Sequence, residues 1–437
     1  MSSGTTDAIG AIRGGEILDS RGRPTVEAVV FLEGGASGRA SVPSGASTGR
    51  HEAAERRDGH LSRYGGLGVR TVAAGIDAEI SSALRGLPAS DQEAVDQVLI
   101  ELDGTSDKSR LGANAILAVS LATARAAACA RGVALWRHLG GQEPALLPLP
   151  MVNMISGGLH AWGGLDFQDF LIIPLSARTI DAAMQMSVAI RDALARLLVE
   201  RGLSTLKADE GGFAPRVDGH DEACALLVRA IEDSGLTPGE DVAIAIDVAA
   251  SHFFDQESGT YHLRTEDRRL DASGLVDVLE ELVERFPIVS IEDPLAEDDW
   301  EGWKVASRRL GNRVQLIGDD LFTTNEVRLR GGIEQGVANA ILVKMNQIGT
   351  LSETLTVVEQ AKAAGYGVIA SARSGETEDD ALADLAIATR AGQIKVGSVA
   401  QSERLAKYNR LVRLEQELGA RALLARVPSA YHASSRT

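Results

Sequence analysis

Three acids stand at the ends of short apolar runs. Asp247 ends VAIAID, Glu292 lies in FPIVSIED and Asp319 in VQLIGDD. Any one of them can be a helix cap or a solvated loop acid. Brought to one place, the three carboxylates would repel strongly unless a cation sat among them. An all-oxygen ligand set selects a hard ion, so Mg²⁺ is the expected partner. Two lysines follow in the same kind of setting, Lys344 in NAILVKMNQ and Lys395 in GQIKVGS. A buried ammonium is costly unless paired. Desolvation and a neighbouring ammonium both lower a lysine's pKa, and a neutral amine can act as a base. Alternatively, each lysine simply neutralises the acidic cluster.

Glu210, in LKADEGGFAP, precedes two glycines and is either a general acid on a flexed turn or only a turn acid. In NMISGGLHAWGGLDFQDF, His160 lies between glycine pairs, with Gln168 and Asp169 downstream; a lone histidine is more often structural. The stretch SVPSGASTGRHEAAERRDG, which contains Ser47, is rich in small polar residues. It reads either as a loop that closes over a ligand or as an ordinary surface loop. In VIASARSGETEDD, Arg373 and Ser374 end an apolar run and are followed by acids. That pattern fits a strand end before a helix cap, or an anion site.

The elements that must position these residues are visible in the rhythm of the chain. Positions 292, 319, 344, 373 and 395 lie 22 to 29 residues apart, the length of a strand-loop-helix-loop unit. Such units give a parallel sheet, and this many favour a closed α/β barrel with its chemistry at the C-terminal ends of the strands. Earlier in the chain, PTVEAVVFLEG and GRASVPSG read as strands. LGANAILAVSLATARAAACARG reads as a helix that Gly132 can terminate. The proline-dense GGQEPALLPLP forbids regular helix and marks a boundary near residue 145. The expected domains are therefore residues 1–145 and 146–437, and the tail PSAYHASSRT is expected to fray.

At 437 residues, two domains are the natural expectation, and 44% apolar with 24% charged residues is a globular composition. No run approaches the roughly 20 apolar residues of a membrane span, and the first residues show no secretory signal. A net charge of −17 argues against nucleic acid and anionic membranes as partners, though not against an anion held by local cations or metal ions. Cys129 and Cys224, in Ala/Leu-rich surroundings, are expected to be buried thiols in a reducing cytoplasm.

Taken in order, these segments resemble the enolase family over nearly the whole chain, from EILDSRGRPTVEAVV to SERLAKYNRLVRLEQELG. LGANAILAVSLA, IGDDLFTTN, KMNQIGTLSET and RSGETED carry the resemblance. It implies a small α+β N-terminal domain, a C-terminal eight-stranded α/β barrel, a homodimeric or larger assembly and two Mg²⁺ per site. By the same resemblance, Asp247, Glu292 and Asp319 bind one Mg²⁺ and Ser47 the second. Lys344 removes the proton α to the substrate carboxylate, Lys395 helps hold that carboxylate, and Glu210 assists loss of the 3-hydroxyl. Arg373 and Ser374 hold the phosphate, and His160, Gln168 and Asp169 occupy family site positions. The chemistry is that of the superfamily generally, in which a lysine or histidine base works with Mg²⁺.

The chain departs from the family pattern at Ala372, where histidine is usual, at Asp169, where glutamate is usual, and at Leu159 and AWGGLDF. These changes spare the metal ligands and the lysine base. They point to retained enolate chemistry with an altered pocket, similar to the carboxyphosphonoenolpyruvate synthase branch of phosphonate biosynthesis. The substrate expected is thus a small phosphorylated or phosphonylated carboxylate. A divergent glycolytic enolase and a silent scaffold protein are the alternatives.

Overall fold

The computed structural model describes residues 7–46, 48–161, 164–428 and 431. Ser47, Trp162, Gly163 and most of the tail fall outside them.

The chain opens with an antiparallel meander of β1 (Ile9–Leu18), β2 (Pro24–Leu32) and β3 (Ser37–Ser41). The sequence reading missed β1, because IGAIRGGEIL holds three glycines and few of the β-branched residues that announce a strand. Its pairing along the whole of β2 supplies what its composition does not. Helices α1 (Gln92–Asp103) and α2 (Ala113–Ala130) follow, and α2 lies on the sheet. The approach is close: a Cβ at Gly38 would stand 2.2 Å from the Ala122 carbonyl oxygen, so only glycine fits. Helix α2 is apolar and long enough to pass as a membrane span by composition, but 83% of that window is buried inside the protein. It ends as expected, with Gly132 in the left-handed region (φ 65°) and the Val133 N–H bonded to the Ala128 carbonyl at 3.1 Å. Cys224 is buried, but Cys129 is exposed, contrary to expectation: it is the penultimate residue of α2, whose buried positions end at Ala128.

The remainder is an eight-stranded closed barrel of β4 (Leu149–Ser156), β5 (Asp169–Ile173), β6 (Ala243–Asp247), β7 (Ile288–Glu292), β8 (Gln315–Gly318), β9 (Ala340–Val343), β10 (Gly367–Ser371) and β11 (Gln393–Gly397). The expectation of a purely parallel sheet needs correcting, since β5 runs antiparallel to both neighbours. Ser156 and Asp169 pair directly across the two strands, so the chain returns as a hairpin rather than through the helical crossover of a parallel pair.

Alternation along the strands fills the barrel. Leu149, Met151, Leu171, Ile173, Ala243, Ala245, Ile317, Ala340, Leu342 and Ile369 pack into one interior cluster. Continuing the same parity toward the C-terminal ends brings Asp247 after Ala245, Asp319 after Ile317, Lys344 after Leu342, and Arg373 two steps after Ile369. Period-two geometry thus changes an apolar plug into an ionised mouth within two to four residues per strand.

The N-terminal part is fixed to this mouth. Ser44 and Gly375 exchange backbone hydrogen bonds (2.8 and 3.0 Å), the Ala53 N–H donates to the Gln347 carbonyl at 2.8 Å, and Lys108 pairs with Glu353 at 2.8 Å.

Candidate active site

Asp247, Glu292 and Asp319 are all buried at the mouth of the barrel. Lys395 Nζ donates to Asp247 Oδ2 at 2.7 Å and to both Glu292 oxygens at 2.8 Å. Lys344 Nζ is hydrogen-bonded to Asp319 Oδ2, and Gln347 Nε2 donates to Asp319 Oδ1 at 2.9 Å. Gln168 Nε2 donates to Asp247 Oδ2 at 3.1 Å.

Charge in this buried space is unevenly shared. Burial, and then the Asp247 charge, push the Glu292 carboxyl well above the carboxylate range. Asp247 moves the other way: burial opposes its charge, but Lys395 outweighs burial and holds it down. Two carboxylates on one ammonium cannot both be fully stabilised, so one keeps its charge at the other's expense. The lysines differ from expectation. Burial works against Lys344, yet Asp319 raises its pKa; burial likewise works against Lys395, and Asp247 and Glu292 raise it well above its usual value. Carboxylates within hydrogen-bond reach outweigh both desolvation and the second ammonium.

A second cluster lies on the other side. His160 Nδ1 is 3.1 Å from Asp169 Oδ2, and its Nε2 is 3.9 Å from Glu210 Oε1. Burial alone would push the imidazole down, but Asp169 and then Glu210 raise it to about 9, so it is a cation at neutral pH. Asp169 is fully engaged: Ser156 Oγ donates to it at 2.9 Å, and Asn153 Nδ2 also bonds to it. Glu210 is carried on a turn closed by the Gly211 N–H to the Ala208 carbonyl at 2.9 Å. The same turn is clipped to β4 through Phe213 N–H to Met154 O at 2.8 Å.

Arg373 and Ser374 stand just past β10. The Arg373 guanidinium makes a two-pronged pair with Glu52, at 3.0 and 3.1 Å. The Ser374 hydroxyl oxygen accepts from the Ala46 N–H at 2.6 Å. The loop holding Glu52 therefore lies over the mouth. It is pinned again where the Arg50 N–H donates to Glu297 Oε2 at 2.9 Å and His51 Nε2 meets Asp298 at 3.1 Å. Ser47, expected on this loop as a metal ligand, lies outside the described residues.

Several contributors escaped the sequence reading. Asp293 and Asp320 are the second acids of the visible Glu-Asp and Asp-Asp doublets. The Asp293 carboxylate accepts the N–H groups of Asp319 (2.9 Å) and Asp320 (2.7 Å), fixing the turn that presents Asp319. One carboxylate oxygen each from Asp293, Asp319 and Asp320 lie within 4.8 Å of one another, as do a ring nitrogen of His160 and one carboxylate oxygen each from Asp169 and Glu210. Arg404 is fully buried, and its guanidinium donates to the carbonyls of Val396 (3.0 Å), Ser374 (2.6 Å), Asp209 (3.2 Å) and Arg373. It thereby ties together the segments that carry Lys395, Arg373, Ser374 and Glu210. Its neighbourhood in sequence does not announce this, since apart from the adjacent Glu403 carboxylate its partners are main-chain atoms up to 195 residues away.

A crowd of buried carboxylates, two ammonium groups and a capped guanidinium is suited to binding an anion and moving protons beside it. Comparison with known families agrees. Residues 9–139 match the enolase N-terminal domain and residues 144–431 match the enolase C-terminal TIM barrel domain. Between them the two matches take in nearly all of the chain, which belongs to the enolase family of phosphopyruvate hydratase-type lyases.

Proposed function

We propose that the protein dehydrates 2-phosphoglycerate to phosphoenolpyruvate. The observation that carries this reading is the pairing of Lys344 with Asp319 across the mouth from the His160–Asp169–Glu210 cluster: a base on one side and an acid on the other of one buried space.

The donor set suits divalent metal. Asp247, Glu292 and Asp319 offer only oxygen, are buried, and now draw on two lysine ammonium groups for compensation. Bound Mg²⁺, two ions by analogy with the family, would supply positive charge to these carboxylates and to the enediolate. The second ion's expected ligand is Ser47. The chain's own residues do the rest. Lys344, once its amine is neutral, takes the α-proton, and Lys395 neutralises the substrate carboxylate. Glu210 gives a proton to the departing 3-hydroxyl, which leaves as water, and the His160 imidazolium steadies Glu210 and Asp169. Arg373 exchanges Glu52 for the substrate phosphate, a like-for-like replacement of one two-oxygen anion by another.

A second reading keeps the same proton chemistry but adds a phosphonoformyl group, as in carboxyphosphonoenolpyruvate synthase. Ala372 favours it: this methyl is buried between Ser371 and Arg373, where the family carries an imidazole. A cytoplasmic homodimer or larger assembly, and a domain division near residue 145, complete the proposal. The test is absorbance of the enolpyruvate product with Mg²⁺ and 2-phosphoglycerate, with and without activated phosphonoformate. Turnover without the donor supports the first reading, turnover only with it the second. No product in either case refutes both and leaves a scaffold role. Light scattering checks the assembly.

A further inference from the structure

The three carboxylates assigned to magnesium close three neighbouring strands: Asp247 ends β6, Glu292 ends β7 and Asp319 follows β8. Pairing of β6 with β7 sets Asp247 directly opposite Glu292. Asp319 has no such support. The last paired residues of β7 and β8 are Glu292 and Ile317, so Asp319 lies two residues beyond that ladder. Like charges crowded at a free strand end push it outward, and something else has to hold this one in place.

Asp293, next in the chain after Glu292, does so. Its N–H donates to the Ile317 carbonyl at 3.0 Å, and its own carbonyl accepts the Ala250 N–H at 3.2 Å, three residues past Asp247. Its side chain then clasps the turn after β8. Oδ1 accepts the Asp319 N–H at 2.9 Å and Oδ2 the Asp320 N–H at 2.7 Å. One residue therefore bonds to the ends of all three ligand-bearing segments. The residue type fits the task. Asp293 is 2% exposed, and a further buried negative charge beside Asp319 and Asp320 is costly. An amide of the same shape would avoid that cost but has one acceptor oxygen for two N–H groups. The carboxylate meets both with charge-assisted bonds. Its backbone is left-handed, with φ at 40°, a region that aspartate, asparagine and glycine tolerate. With each oxygen committed to a main-chain N–H, Asp293 orients the acids around it rather than adding a ligand.

We propose that Asp293 is a positioning residue for the metal site. It holds Asp319 in register with Glu292 and Asp247, and so sets the affinity for the divalent ion without ligating it. This role rests on the reading of those three carboxylates as magnesium ligands. Residues that orient metal ligands in this way are worth about 10–100-fold in metal affinity.

The test uses Asp293→Asn and Asp293→Gly, both of which accept a positive φ. Asparagine turns a donor toward one of the two N–H groups, and glycine withdraws the side chain altogether. Calorimetric titration of Mg²⁺ into the metal-free, full-length protein should show affinity lowered about tenfold or more in each variant. Amide hydrogen exchange in the metal-free protein should be slow at Asp319 and Asp320 in the wild type, and about tenfold or more faster in both variants. Unchanged Mg²⁺ affinity, even with lowered stability, would make Asp293 a packing residue and overturn the proposal. Weakened affinity with unchanged exchange would mark Asp293 as a ligand and overturn it as well. Fast exchange at both amides in the wild type would overturn it whether or not the variants fold. Should the wild-type protein bind no Mg²⁺ at all, the reading of the three carboxylates as its ligands fails, and the role of Asp293 falls with it. Wild-type binding that the variants share unchanged sinks the role of Asp293 alone.

Discussion

The two ends of the barrel interior are made from the same strands and obey opposite rules. At the N-terminal end, Leu149, Leu171, Ile173, Ala243, Ala340 and Leu342 fill the space with side chains that lose nothing by leaving water. At the C-terminal end, Asp247, Glu292, Asp319, Lys344 and Lys395 are also buried and must compensate one another's charge. Burying ion pairs returns little or no net stability, whereas burying alkyl groups returns it in proportion to area. The lower layer therefore carries the fold, and the upper layer is tolerated because the lower one holds it in place.

The sharpest way to break this contrast is to cut one residue from each layer. Lys344→Ala should lower kcat by about 10³-fold or more, as expected for removal of a positioned base, while the barrel still forms. A variant with wild-type turnover removes Lys344 from the proton-transfer role. Leu342→Ala, two residues earlier, should do the reverse. It should cost about 2–5 kcal/mol of stability in denaturant titration, because it opens a cavity in a packed core, while the folded fraction keeps its turnover. If Leu342→Ala proved neutral for stability and Lys344→Ala the main destabiliser, the division between layers would be wrong.

Much of this was legible in the sequence, for a physical reason: period-two alternation and loop length are local properties. The strand ends at Asp247, Glu292, Asp319, Lys344, Arg373 and Lys395 could be read from apolar runs alone, and the structure gathers their side chains at one mouth. What could not be read was set by contacts between distant segments. Strand β1 is specified by its partner rather than by its own glycine-rich composition, and the reversal of β5 by its antiparallel pairing with both neighbours. Raised lysine pKa values reflect which carboxylate each ammonium meets, which no one-dimensional pattern encodes. Glu52 opposite Arg373 was hidden in the same way, as a loop acid 321 residues away.

The upper layer should also answer to pH where the lower one does not. Imidazole has an unfolded pKa near 6.5, and in the folded protein the His160 pKa is raised to about 9. A raised folded pKa means that the charged form favours folding. This contribution is fully present below about pH 6.5 and is lost as pH rises through about 9. It amounts to about 3 kcal/mol at most, from 1.36 kcal/mol per unit. Stability of the metal-free protein should therefore fall between pH 6.5 and 9, and His160→Gln should flatten that part of the curve. An unchanged slope in the variant would mean that Asp169 and Glu210 do not hold the imidazole charged.

The smallest expected effect tests how the upper layer is held in place. Arg404 touches no substrate-facing atom, but its planar guanidinium serves four carbonyls on the segments that carry Arg373, Ser374, Lys395 and Glu210. Lysine keeps the charge but offers a point donor in place of a fork, so it cannot span the same carbonyls. Arg404→Lys should lower kcat/KM about tenfold, on the order of 1.4 kcal/mol in the barrier. The loss should fall on both kcat and KM, since the proposed phosphate holder and the proposed acid shift together. Magnesium affinity, assigned under the proposed function to Asp247, Glu292 and Asp319 on other strands, should stay as it was. A variant that lost stability but kept kcat/KM in its folded fraction would make Arg404 part of the packing alone. One that lost magnesium affinity as well would show that the mouth of the barrel moves as a single body rather than as segments separately tied.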